Sequence, residues 1–263
     1  MGAQMARLNI PPFALRLLPI LGVLLLWWAV ANSGLVKPFL LPSPMLVAEH
    51  IYKDVISGSV FVNIGYTFYR ALAGFLIAAA IGTTVGLLMV VSGTAKWFFD
   101  PIVSLGFPMP KISLLPIFIL WFGLDDGSKI AMIAVGCVFV ITANAFAGAN
   151  GVERQFIWSA QMLGADNRRV LVDVILPAAT PQILTGYQIA LPVSLIITLV
   201  TEMIMGGAGL GGQLLIASRY ANSPAVFAAI VEIAIAGAIV VNGMKMLRRR
   251  ILHWHEETAV TTD

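Results

Sequence analysis

Long apolar runs alternate with short polar breaks along almost the whole chain. Runs near or above about 18 residues read as helices that cross a bilayer. They predict six spans, at roughly 16–33, 63–91, 100–122, 129–149, 183–205 and 224–247. Between the first two, Leu41-Pro42-Ser43-Pro44 leads into MLVAEHIYKDVI. Ser43 can N-cap a helix beginning at Pro44, where a missing N–H costs nothing. Leu46, Ile51, Val55 and Ile56 then share one broad face, away from Glu49, Lys53 and Asp54. That pattern suggests a short amphipathic helix along the outer interface, with a plain surface loop as the alternative.

Two spans carry further detail. The second places Gly74, Ala78, Gly82 and Gly86 at four-residue spacing, a ridge of small residues that lets a neighbouring helix approach closely. Packing within the chain is the simpler use of such a ridge, and a dimer seam the rarer one. The third holds Phe107-Pro108-Met109-Pro110-Lys111-Ile112-Ser113-Leu114-Leu115-Pro116. Prolines at membrane depth free backbone carbonyls, which is tolerated where they are buried in protein or line water. A broken helix bordering a pathway is the expectation.

One break is unlike the others. Residues 153–182 read ERQFIWSAQMLGADNRRVLVDVILPAATPQ, with Arg154, Asp166, Arg168, Arg169 and Asp173. Phe156, Ala160 and Leu163, at i, i+4 and i+7, form one apolar stripe on a short helix. Gly164 can end that helix in the left-handed conformation, and Asp166 can cap the next. A helix–turn–helix of this kind can seat an apolar knob in a cleft of a soluble partner, with Arg168 and Arg169 flanking it. A folded connector without a partner is the alternative.

Composition fits these spans. The chain of 263 residues is 59% hydrophobic and only 11% charged, against roughly 25% charged in soluble proteins, and its mean hydropathy is +0.91. The isoelectric point near 9.2 is therefore no sign of nucleic acid, because the basic residues sit mostly at span ends. Arg7, Arg16, Lys96, Arg154, Arg168, Arg169, Lys245 and the Arg248–Arg250 cluster fall on one side. Lys37, Lys53, Lys129 and Arg219 fall on the other, with Arg70 a few residues into the second span. The positive-inside rule then puts both termini in the cytoplasm. Arg7 and Arg16 before an apolar run could also open a signal peptide. Ala31-Asn32-Ser33-Gly34 is a poor cleavage site, however, and Trp27-Trp28 suits an interfacial belt, so a retained helix is expected. Cys137 is the single cysteine, which excludes an intrachain disulfide.

The polar segment is where a family becomes recognisable. Ser159-Ala160-Gln161-Met162-Leu163-Gly164-Ala165, followed after Gly164 by nine residues and then Val174-Ile175-Leu176-Pro177, resembles the EAA loop of ABC-importer permeases. Gly164 matches that loop's glycine, Ala160 its second alanine, Val174 its isoleucine, and Leu176-Pro177 its end. Trp158 stands at the family's glutamate and Ser159 at its first alanine, so the glutamate's contacts do not carry over. Leu41-Pro42-Ser43-Pro44, the segment PMPKISLLPIFILWFG, Glu202-Met203 and the GLGG run extend the resemblance to the nitrate/sulfonate/taurine permease group.

That resemblance implies an all-α polytopic membrane protein of the type I importer fold, one N-terminal helix outside a five-helix core, in the bacterial inner membrane. Residues 1–62 would hold the tail, first helix and amphipathic segment, and 63–248 the core with its coupling loop 150–182. Residues 249–263 would form a cytoplasmic tail. The partners implied are two ATPase subunits, a periplasmic solute-binding protein and a second permease copy in a homodimer. ATP and Mg would be held by the ATPase, with no cofactor on this chain. The residues implied in coupling are Phe156, Ser159, Ala160, Leu163, Gly164, Ala165, Asp166, Arg168, Arg169, Leu176 and Pro177. The implied path runs by Pro108, Met109, Pro110, Lys111 and Glu202, for a small anion such as a sulfonate, nitrate or carboxylate.

The remaining charges keep two readings. Lys111 at membrane depth costs on the order of 3 kcal/mol unless it faces protein or water. It either attracts an anionic solute or snorkels from near the span's inner end. Glu202, Arg70 and Glu232 either border the path or pair within the bundle. Gly207-Ala208-Gly209-Leu210-Gly211-Gly212 fits GxGxxG literally but lacks a βαβ context, and reads as a flexible outer turn. His253, His255, Glu256 and Glu257 read as a solvated tail rather than a metal site. No phosphate-binding Gly-Lys-Ser/Thr loop occurs, so the chain is not expected to hydrolyse ATP. A gradient-driven transporter would show an internal repeat and mid-membrane carboxylates. A membrane hydrolase would need a base at depth, whereas His50, His253 and His255 all lie outside the spans.

Overall fold

The computed structural model describes residues 12–252, and side-chain surroundings from residue 18; the histidine-containing tail and Arg7 lie outside the described residues. Every regular element among them is helical: α1 (Pro12–Asn32), α2 (Pro44–Ser57), α3 (Ser59–Val91), α4 (Gly93–Gly106), α5 (Leu115–Phe122), α6 (Asp126–Asn150) and α7 (Arg154–Met162). There follow one turn of α8 (Asn167–Arg169), α9 (Leu176–Met205), α10 (Leu210–Arg219) and α11 (Ser223–Ile251). Helices α3, α6, α9 and α11 are each long and apolar enough to cross a membrane. Helices α4 and α5, with a 3-10 turn at Lys111–Leu114 between them, make a fifth span bent by 99°. The described apolar part of α1, Leu18–Asn32, is shorter.

The ridge on α3 builds the centre of the bundle. A β-carbon at Gly74 would collide with Ile133, at Gly82 with Ile141 and the Val138 carbonyl, and at Gly86 with Ala145 and the Thr142 carbonyl. Helix α6 therefore lies directly on backbone. In lipid, close van der Waals contact has to supply what the hydrophobic effect supplies in water. The ridge thus serves packing within the chain. Phe75, Met132, Ile133, Cys137, Ile141, Leu184, Leu191 and Ile197 form the core between α3, α6 and α9.

Helix α2 starts as its sequence dictates. The Ser43 side chain accepts from the Leu46 N–H, Pro44 occupies the first turn, and Gly58 closes the helix with φ 78°. Val47 is buried, while Met45, Tyr52 and Ile56 remain exposed. Trp27 Nε1 donates to the Pro42 carbonyl at 3.0 Å, joining α1 to the start of α2.

Two expectations need correction. The fifth span starts before residue 183: α9 begins at Leu176 and continues, through a π-helical stretch at Val170–Ile175, back to Asn167. Pro177 sits in the first turn of α9, where its missing N–H breaks nothing, so the latter half of the polar loop is the root of a span. The Gly-rich outer run is also no flexible turn. Gly209, Leu210, Gly211 and Gly212 are buried; the Gly209 N–H donates to Asn63 Oδ1 at 3.0 Å and the Leu210 N–H to Thr67 Oγ1 at 2.9 Å. Gly209 has φ 129°, and a β-carbon there would strike the Glu202 carboxylate. Its glycines provide close approach to a buried carboxylate rather than mobility.

Candidate coupling elbow and membrane cavities

The elbow projects from the end that carries the Arg-rich clusters. Helix α7 opens at Glu153 in extended backbone and closes at Leu163, and Gly164 reverses the chain with φ 86°. The Gly164 N–H donates to the Gln161 carbonyl and the Ala165 N–H to the Ala160 carbonyl, each at 3.0 Å. Asp166 Oδ1 accepts from the Arg169 N–H at 2.9 Å, capping α8. Gly164 and Asp166 thus take the geometry their sequence suggested.

The apolar stripe is divided differently. Ala160 packs inward with Ile157 and Ala165 against Val170, Ile175 and Ala179, so it roots the elbow rather than touching a partner. Leu176 belongs to the same cluster. Outward stand Phe156 (59% exposed), Trp158 (56%), Met162 (88%) and Leu163 (89%). Of the stripe that helix periodicity groups together, Phe156 and Leu163 therefore face outward and Ala160 inward. Met162 and Trp158, absent from the motif-based set, lie one turn apart on α7, and that i, i+4 spacing was the available signal. Ser159 Oγ bonds back to the Gln155 carbonyl at 2.8 Å. Arg168, Arg169 and Pro177 are exposed.

A cavity of about 530 Å³ opens between α3, α4 and α6, lined by Met89, Asp100, Val103, Ser104, Phe107, Pro108, Thr142, Ala143 and Phe146. Pro108 is the residue of the expected path that lines it. Met109, Pro110 and Lys111 lie in the adjoining break between α4 and α5. Asp100, Ser104 and Thr142 supply its polar atoms; the sequence concealed them, because an isolated polar residue in an apolar run has no motif.

Lys111 is half-buried. Its Nζ donates to the Phe107 carbonyl at 2.6 Å and lies 5.7 Å from the Phe107 ring and 5.9 Å from that of Phe139. Phe139 is near the middle of α6, so the ammonium lies beside the middle of that helix. Pro108 and Pro110 bring no N–H to the end of α4, and the ammonium satisfies a carbonyl left free there.

Glu202 faces protein instead of the cavity, correcting its place on the path. It is fully buried, accepts from Arg70 Nη1 at 2.6 Å, Thr67 Oγ1 at 3.0 Å and the Gly211 N–H at 3.0 Å. Arg70 Nε also donates to Asp126 Oδ1 at 2.7 Å. A buried charge with this many partners is a bundle tie whose loss leaves the others uncompensated. Beside it lies a second cavity of about 400 Å³, lined by Arg70, Leu124, Asp125, Asp126, Lys129, Met205, Gly206 and Gly207. Glu232 is buried with neither carboxylate oxygen hydrogen-bonded.

The architecture has solved counterparts. An inward-facing form of the MetNI methionine ABC transporter matches with a TM-score of 0.65 at 19% identity, covering 75% of this chain and 98% of that one. An amino acid ABC transporter matches at 0.62 and 17%, covering 76% and 97%. At such identities the likeness establishes the fold, that of a type I importer permease. In sequence, the taurine transport system permease protein TauC of Escherichia coli (strain K12) is 34% identical over 240 residues, 89% of this chain and 87% of that protein. The putative aliphatic sulfonates transport permease protein SsuC of Bacillus subtilis (strain 168) is 31% identical over 232 residues, 88% and 84% respectively. Residues 74–253 match the family model described as binding-protein-dependent transport system inner membrane component. The chain belongs to that family, as a multi-pass permease subunit of a binding-protein-dependent ABC importer.

Proposed function

We propose that the α7–α8 elbow is the handle through which a separate ATPase drives import of a small anionic solute. One observation carries this reading: Phe156, Trp158, Met162 and Leu163 stand between 56% and 89% exposed on a polar, arginine-flanked projection. Large apolar side chains gathered on such a surface mark a docking site. The ATPase fits that role because the polar segment has the spacing of a permease coupling loop and the chain has no phosphate-binding loop of its own.

In this scheme two copies of the chain face each other, two ATPase subunits sit beneath them, and a solute-binding protein docks outside. Both termini face the cytoplasm. ATP and Mg belong to the ATPase, and this chain binds no cofactor. Closure of the ATPase pair pulls the elbow, and α9, rooted in it through the π-helical stretch, tilts against α3 and α6. The solute crosses beside the broken span, through the cavity that Pro108 and Asp100 line. Lys111 draws an anion toward it, which agrees with relatives named for sulfonate and taurine transport.

Co-purification tests the handle. Phe156→Asp with Leu163→Asp is expected to insert normally and lose the ATPase from the detergent-solubilised complex. An unchanged complex would remove the docking face.

A further inference from the structure

A file of hydrogen bonds joins α2 to the wall of the outer cavity, and the import scheme leaves it unused. Asp54 Oδ2 on α2 accepts from Gln213 Nε2 on α10 at 3.2 Å. Gln213 Oε1 accepts from Asn63 Nδ2 on α3 at 2.9 Å, and Asn63 Oδ1 accepts from the Gly209 N–H at 3.0 Å. One residue on, the Leu210 N–H donates to Thr67 Oγ1, which itself donates to Glu202 at 3.0 Å. The file thus ends on the buried carboxylate and passes through the loop whose Gly206 and Gly207 line the outer cavity of about 400 Å³. Asp54 and Asn63 precede residue 74, where the match to the family model begins, so the file fastens α2 to the family's core.

Its two ends differ in how readily they can part. Asn63, Thr67 and Arg70 stand at i, i+4 and i+7 on one face of α3. At the inner pair, Thr67 and Arg70 hold Glu202, which is fully buried, and breaking those bonds would strand a charge. At the outer position the bonds are weaker in kind. Asn63 and Gln213 are neutral amides, and they and Asp54 are half-buried, so each bond between them has a modest net worth. The same three side chains, with His50 and Ser59, line a further cavity of about 390 Å³. It is polar and roomy enough for water to take over their bonds when the helices separate. One end is a pivot, and the other can open.

We propose that Asp54, Gln213 and Asn63 form a latch that holds the outer mouth of the permease shut. The latch rests on the import reading above and adds to it the contact that parts before the mouth widens. Closed, it keeps α2, α10 and the 206–212 loop against the outer end of α3. Open, it lets that end of α3 move away while the Glu202 tie stays made. In the import reading, closure of the ATPase pair and opening of the mouth belong to one motion. A latch that favours the shut form therefore also restrains ATP hydrolysis until something outside releases it.

The test uses the permease with its ATPases in nanodiscs, with and without the solute-binding protein. Gln213→Glu sets a second carboxylate against Asp54, and Gln213→Met removes both bonds without adding charge. Each should raise hydrolysis in the absence of the binding protein at least threefold, whereas a variant that merely destabilises the fold would lower it. Combining Asp54→Asn with Gln213→Glu exchanges donor and acceptor across the same contact at unchanged net charge, and should return hydrolysis to within 1.5-fold of wild type. Met205→Cys, half-buried at the outer cavity, reports opening directly, because Cys137 is fully buried. A charged maleimide should label it at least threefold faster when Gln213→Glu or Gln213→Met is present. Smaller increases in both variants, lowered hydrolysis in both, or a double variant that fails to restore the restraint would each overturn the latch. The import reading fails separately, if no ATPase assembles on the elbow, and the maleimide still reads the latch on the permease alone.

Discussion

Truncating the exposed knob of the elbow should weaken ATPase binding by an amount the structure allows one to work out. Met162 and Leu163 are 88% and 89% exposed, so almost all of each side chain is available to be covered by a partner. Burying a side chain of this kind is worth about 1.5–3 kcal/mol, from roughly 25 cal/mol per Å² of apolar surface. Truncation to alanine keeps one carbon of the contact, so Leu163→Ala should cost about 1–2 kcal/mol at each docked elbow. With about 1.4 kcal/mol per tenfold in affinity, that is roughly 5- to 30-fold weaker binding per site. Met162→Ala should cost a similar amount, and the double variant need not be additive, because the two residues are neighbours. Neither change touches the rooted face formed by Ile157, Ala160 and Ala165, so membrane insertion and thermal stability should stay at wild-type level. The assay is ATPase binding to permease in nanodiscs, titrated with purified ATPase. Affinity within twofold of wild type for the double variant would refute the docking argument. A loss of permease stability would instead show that these side chains pack within the chain.

Other predictions follow from single positions. Gly164→Val forces a β-branched residue to φ 86°, a strain of about 1–3 kcal/mol. It should leave ATP hydrolysis running while uptake falls, and intact coupled uptake would count against the turn's role. Gly82→Leu places a side chain against the Val138 carbonyl and Ile141, where overpacking costs typically about 1–3 kcal/mol; the melting temperature of the detergent-solubilised protein should drop, and an unchanged value would mean that α3 and α6 are less closely packed. Lys111→Gln keeps a donor for the Phe107 carbonyl but removes the charge. It should slow anion uptake more than Lys111→Arg does, and equal rates would leave Lys111 as the cap of α4 alone.

The parts of this fold that were legible in the sequence are those governed by local rules. Ser43-Pro44 gives the start of α2, Gly164 and Asp166 give the elbow's turn and cap, and the prolines after Phe107 give the broken span. The Gly74–Gly86 ridge was equally plain, because four-residue spacing is a property of one helix. What escaped depended on pairs of distant elements. That Glu202 is sealed by Arg70 and Thr67 from α3 requires knowing that α3 and α9 are neighbours. The buried state of Gly209 to Gly212 follows from the same packing, while composition alone suggests a loose turn. Pro177 reads as a helix stop unless the preceding residues are already helical, and the π-helical stretch before it has no sequence signature. Asp100 enters the cavity only because the span breaks and swings α4 away from α5.

The grip of an ATPase on the elbow can be tested most directly by cross-linking. Cys137 is fully buried and is the chain's only cysteine, so Leu163→Cys introduces a single accessible thiol. A short bifunctional reagent is expected to join that thiol to the ATPase subunit in the assembled importer, with a yield that changes when ATP is added. The same reagent on Leu124→Cys, exposed at the opposite end of the bundle, should give no such product. A Leu163→Cys thiol that forms no cross-link to the ATPase, or that an impermeant reagent reaches from outside intact cells, would contradict the account.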